Sequence, residues 1–104
     1  SRITGVLRGG GVVRDPAGSV SAAFAGELGR GDSLQAEAQA LVAGLEMCYR
    51  RNICLTAVET DSLLLCNALL GKGKIPWSIA YTVRRCKMLI GPDMEVSHTW
   101  REGN

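Results

Sequence analysis

The run Ile53-Cys54-Leu55-Thr56-Ala57-Val58-Glu59-Thr60 constrains this chain more than any other feature. It is rich in β-branched and apolar side chains, so it reads as a strand. A helical pattern precedes it and another follows it. A strand set between helices is the unit of an α/β layer structure, in which helices cover a sheet.

The flanking segments extend that reading. Leu34, Ala38, Leu41, Val42, Leu45, Cys48 and Tyr49 recur with a helical period to about residue 51. Asp32 or Ser33 can cap that helix, and Asn52 can stop it. Asp61-Ser62 opens a short helix that runs to Leu70 and ends at Gly71-Lys72-Gly73-Lys74. Pro76 begins a third helix, with Ile79, Val83, Cys86 and Ile90 on one side, and Gly91-Pro92-Asp93 stops it. Residues 94–100 alternate as a last strand. Near the start, Gly9-Gly10-Gly11 feeds a short strand, Val12-Val13-Arg14. Asp15-Pro16-Ala17-Gly18 is a turn into a partner strand over 19–25. The expected order is hairpin, helix, strand, helix, helix, strand. A hairpin beside α/β crossovers makes the sheet mixed.

Composition excludes several classes. The 104 residues suffice for one small domain, and 46% hydrophobic with 21% charged content is ordinary for a globular chain. The longest apolar stretches, such as Leu63-Leu64-Leu65-Cys66, fall far short of the roughly 18 residues that span a bilayer. No signal-peptide pattern is present. The lack of an initiator Met and the abrupt end at Arg101-Glu102-Gly103-Asn104 point to a piece of a longer protein. Cys48, Cys54, Cys66 and Cys86 show no C-x-x-C spacing and no neighbouring His, which argues against zinc. A reduced, intracellular setting is expected. The net charge of +2 says little, but Lys72, Lys74, Arg84, Arg85 and Lys87 cluster within sixteen residues, with Trp77 and Tyr81 among them. That cluster is either a phosphate-binding patch or a solvated helix face.

Two carboxylates stand where packing alone would not put them. Glu37 lies at the edge of the first helix's apolar stripe, about −60° from Leu34 at 100° per residue. Asp61 ends the strand over 53–60. A carboxylate facing a core is costly without a cation to share it. Two that converge at one sheet edge suggest a divalent metal. The ordinary alternatives are a helix cap for Asp61 and a solvated Glu37. Glu46 reads as solvated, Glu59 shares a strand face with Asp61, and the single histidine, His98, reads as structural. Gly9-Gly10-Gly11 lacks the frame of a nucleotide-binding loop.

Four segments together resemble ribonuclease H domains of the plant and retrotransposon type. The run from Gly9 to Gly18 is similar to that family's second strand and turn. Ala36-Glu37-Ala38-Gln39-Ala40-Leu41 looks like its A-E-x-x-A-L helix. Val58-Glu59-Thr60-Asp61-Ser62 resembles its E-[ST]-D-S strand end. Val96-Ser97-His98-Thr99-Trp100-Arg101-Glu102-Gly103-Asn104 is similar to its last strand and R-E-x-N segment.

The resemblance implies a metal-dependent endonuclease that cleaves the RNA strand of RNA–DNA hybrids, using two Mg²⁺ or Mn²⁺ ions. By it, Glu37 and Asp61 are two of four acidic metal ligands. The first acid, in a D-G-[SA] motif ending the first strand, would fall before Ser1, and the fourth beyond Asn104. The expectation is therefore a truncated domain over 1–104, monomeric within a longer chain, lacking its first strand and inactive alone. Gly5 and its polar neighbours make residues 2–7 a poor central strand. The alternative is a non-catalytic nucleic-acid-binding module on the same fold, with Lys72, Lys74, Arg84 and Arg85 touching nucleic acid. A plain structural α/β domain is a third reading.

Overall fold

The computed structural model describes residues 4–8, 12–14, 20–23 and 33–99. Its elements are strands β1 (Thr4–Arg8), β2 (Val12–Arg14) and β3 (Val20–Ala23), helix α1 (Leu34–Arg50), strand β4 (Cys54–Thr60), helices α2 (Leu63–Leu70) and α3 (Trp77–Leu89), and strand β5 (Glu95–His98). The strands form one sheet in the order β3-β2-β1-β4-β5. β1 pairs antiparallel with β2, and β2 antiparallel with β3. β4 lies parallel to both β1 and β5. The expected mixed sheet is therefore present, with its antiparallel pair at one edge. The turn Asp15-Pro16-Ala17-Gly18 and the closing segment from Trp100 lie outside the described residues.

One expectation is corrected. The first strand is not missing: Thr4–Arg8 occupies the centre of the sheet, between β2 and β4. Local propensity undervalued it because its central position depends on pairing with β4, about fifty residues away. Gly5 is buried, and Leu7 is 1% exposed beneath α1. A Cβ at Gly44 of α1 would lie 3.3 Å from the Leu7 methyl groups, so the absence of a side chain there lets the helix sit close on the strand. Gly5 faces Leu55 but Val6 faces Ala57, which leaves Thr56 as an extra residue in β4. This bulge resets the alternation, so that Leu55 and Val58 are both buried although three apart.

The helix boundaries follow local chemistry. Ser33 caps α1, its Oγ accepting from the Ala36 N–H at 3.0 Å. The chain leaves α1 through Asn52 at φ 58°, a left-handed conformation that Asn tolerates. α2 ends at Gly71, φ 77°, where glycine carries no steric cost. Pro76 precedes the first turn of α3, where a missing N–H leaves nothing unsatisfied. One core joins the sheet to all three helices through Leu7, Leu41, Leu45, Val58, Leu65, Ile79 and Val83. Among the described residues, no helix is long and apolar enough to cross a membrane.

Candidate active site

Connectivity brings Glu37 and Asp61 to one end of the sheet. Asp61 follows the last residue of β4 directly. From Glu37 to Arg50, α1 rises about 20 Å at 1.5 Å per residue. β4 returns over about 20 Å at 3.3 Å per residue. The helix packs on β4 through the shared core, so its first turn and the carboxyl end of β4 face the same way. Ligands of open α/β sheets gather outside the carboxyl ends of strands where the chain order switches sides, here between β1 and β4.

The two acids sit in different settings. Glu37 is half-buried in the first turn of α1, where the helix dipole favours a negative charge. Asp61 is exposed. It does not cap α2, because Ser62 does so, its Oγ accepting from the Leu65 N–H at 3.2 Å. The capping alternative for Asp61 is thereby removed.

The backbone around Asp61 is held from several sides. The Ser62 N–H donates to Thr60 Oγ1 at 3.1 Å, and Thr60 is buried. The Thr99 N–H donates to the Thr60 carbonyl at 2.9 Å. His98 Nε2 lies 3.2 Å from the Asp61 carbonyl oxygen, which accepts from it in the tautomer protonated there. The position of His98 beside Asp61 adds a partner that no local pattern signals. The parallel register places Thr60 opposite His98 across 38 residues of chain.

The same end carries a cation. Arg8, the last residue of β1, faces Glu59 in register, and its Nε lies 3.4 Å from Glu59 Oε1. That oxygen is buried and makes no hydrogen bond, so the contact is an ion pair longer than the usual charge-assisted bond of about 2.7–2.9 Å.

The basic cluster divides. Arg85 pairs with Glu46 of α1, which corrects the expectation that Glu46 is simply solvated. The carboxylate raises the Arg85 pKa, chiefly through that hydrogen bond. Lys72, Lys74, Arg84 and Lys87 are exposed. All four cysteines are free, and Cys48, Cys66 and Cys86 are buried.

Among the described residues, no group of three or more His, Cys, Asp and Glu is placed to hold a metal. Glu37 and Asp61 nevertheless supply the hard oxygens that Mg²⁺ takes, and Mg²⁺ is commonly held by one or two carboxylates, with waters and substrate phosphates completing its shell.

Comparisons with known proteins agree with the fold. A family model described as reverse transcriptase-like matches residues 4–104. The crystal structure of RNase H1 from the halophilic archaeon Halobacterium salinarum NRC-1 is similar, with a TM-score of 0.67 and 22% sequence identity. The match covers 97% of this chain and 87% of that one. No curated protein matches the chain.

Proposed function

This chain belongs to the reverse transcriptase-like family, and from that premise we propose that it is the ribonuclease H-like part of a nuclease acting on RNA–DNA hybrids. What supports the reading is the path of α1 and β4, which carries Glu37 and Asp61 toward one end of the sheet, with Ser62 taking the capping role from Asp61. Glu37 and Asp61 are the residues that would hold Mg²⁺ or Mn²⁺. When bound, the metal polarises a phosphoryl oxygen and lowers the pKa of a water. The turn over 60–62 holds the Asp61 backbone through Thr60, Ser62 and His98, so its carboxylate starts from a fixed base. Lys72, Lys74 and Arg84 supply exposed positive charge for phosphates of the hybrid, and Arg85 adds to it from its pair with Glu46.

The test is Mg²⁺-dependent cleavage of a labelled hybrid by the protein extended beyond both ends of this chain. Asp61→Asn and Glu37→Gln are each expected to lower the rate by on the order of 10³, the equivalent of several kcal/mol of lost charge stabilisation. Cleavage unchanged by Asp61→Asn sinks the catalytic role.

A second reading, a nucleic-acid-binding module without catalysis, is favoured by one observation. The resemblance puts an acid at the end of the family's first strand, and the strand that takes that central place here, β1, ends in Arg8, a guanidinium. Hybrid binding without any Mg²⁺-dependent cleavage would select it.

A further inference from the structure

The outer face of α3 carries three of the seven large hydrophobic side chains that are exposed among the described residues. Trp77 is 90% exposed, Tyr81 70% and Met88 78%. With exposed Arg84 they stand at helical positions 0, 4, 7 and 11, which is one stripe. The opposite side of the helix, Ile79, Val83 and Cys86, is buried in the core. An exposed stripe of large apolar side chains marks a contact surface.

Charge narrows what could cover it. No Asp or Glu occurs between Asp61 and Asp93, whereas Lys72, Lys74, Arg84, Arg85 and Lys87 all fall there. The one carboxylate brought to α3 from elsewhere among the described ion pairs, Glu46, is taken by Arg85. Beside the stripe, Ile75, Ala80, Val83, Arg84 and Lys87 line a shallow pocket of about 190 Å³, with an apolar floor and two cations. The partner is therefore an anion with flat apolar surface.

The stripe also starts at the proposed active end. A Cβ on Gly71, at the end of α2, would lie 4.0 Å from Lys87 Nζ near the end of α3. The two helices thus finish together and run in the same sense. α2 starts beside Asp61, so α3 starts at that end as well, and Trp77 leads the stripe. Eleven residues carry it about 16 Å away from there.

We propose that the outer face of α3 binds an unpaired nucleic-acid strand, with Trp77 and Tyr81 stacking on its bases and Lys87 meeting its phosphates. Aromatic platforms in a basic setting bind single strands with little sequence preference. The proposal rests on the reading that the chain handles nucleic acid, and adds a surface for an overhang or a displaced strand that leaves the carboxylate end.

The test is fluorescence anisotropy of the full chain with a labelled oligothymidylate of about 12 nucleotides, a length within the usual single-strand site range. A blunt hybrid of the same length is the companion probe. The double variant Trp77→Ala/Tyr81→Ala is expected to lose at least about fivefold in single-strand affinity, the lower end of what one stacked base contributes. Blunt-hybrid binding, cleavage and the melting temperature should stay at the parent's values. Single-strand affinity unchanged in the double variant overturns the proposal, as does no single-strand binding by the parent chain. Concentration-dependent self-association that the double variant abolishes also overturns it, and makes the stripe an interface between copies. Asp61→Asn separates the two readings: it removes cleavage if the nuclease reading holds, and should leave oligothymidylate binding at the parent's value.

Discussion

Thr60, Asp61 and Ser62 are each held by a hydrogen bond from another part of the fold or from the next helix, whereas Trp77, Tyr81 and Met88 project from α3 with most of their surface open. Both regions start at the same end of the molecule. The first is a turn whose geometry is set by β5 and by a helix cap, as placing a carboxylate for chemistry requires. The second is a helix whose large outward side chains, among the described residues, keep most of their surface open. A surface of that kind suits contacts that tolerate varied partners. The difference teaches that one end of a small sheet can be exact in one element and permissive in the next.

The largest expected effect tests whether the turn draws its rigidity from the core. Leu65 lies one helical turn beyond Asp61 and is 1% exposed. Leu65→Ala should cost about 2–5 kcal/mol in urea denaturation, through lost burial and the cavity left behind. Met88→Ala, on the open face, should stay within about 0.5 kcal/mol. Similar losses for the two would erase the contrast between the regions.

A pH experiment sharpens the contrast within α1 and α3, whose inner sides are as closed as their outer sides are open. Burial pushes the Cys86 thiol from its ordinary 9.0 up to about 12, with the Glu46 charge adding to the rise and Arg85 opposing it. Burial raises Cys48 to about 11 against the charge of Arg51. Both thiols are kept neutral in the folded chain. Above pH 9 the unfolded chain releases these protons and the folded chain does not. The stabilisation is therefore complete below about pH 9 and is lost as pH rises towards 11 and 12. Urea midpoints should fall over that window, and Cys86→Ala should make the fall shallower. An identical slope in the variant would show that Cys86 is not sealed in the folded state.

The features legible in the sequence are those set by neighbouring residues. Asn52, Ser62, Gly71 and Pro76 punctuate the helices because capping and left-handed turns depend on local chemistry. The apolar period of α1 likewise reports which side meets the core. Thr4–Arg8 was not legible as a central strand, since a buried Gly5 has no pattern to read and its partners lie in β2 and β4. The pairing of Glu46 with Arg85 and the contact of His98 with Asp61 join residues 39 and 37 positions apart, and no spacing rule reaches that far. Glu37 and Asp61 stood out as residues, while their placement at one end of the sheet required the path of α1 and β4 to be known. The exposure of Trp77 and Tyr81 was hidden for a related reason. An aromatic residue in a helix reads equally well as core or surface until the packing of its opposite side is seen.

The smallest effect separates holding Asp61 from stabilising the fold. Ser62→Ala removes the cap on α2 and should lower stability by about 1 kcal/mol. The Ser62 N–H still donates to Thr60 Oγ1, so the turn loses one tie and keeps another. If the turn positions the carboxylate, hybrid cleavage should fall by about tenfold or more under conditions where the chain remains folded, the range seen when groups behind metal ligands are removed. Ser62→Thr keeps a capping oxygen and should restore both stability and rate. Stability lost with the rate unchanged would make Ser62 a cap and nothing else. Asp61 would then owe its orientation to Thr60 and His98, and the clamp would belong to the β4–β5 pair rather than to the start of α2.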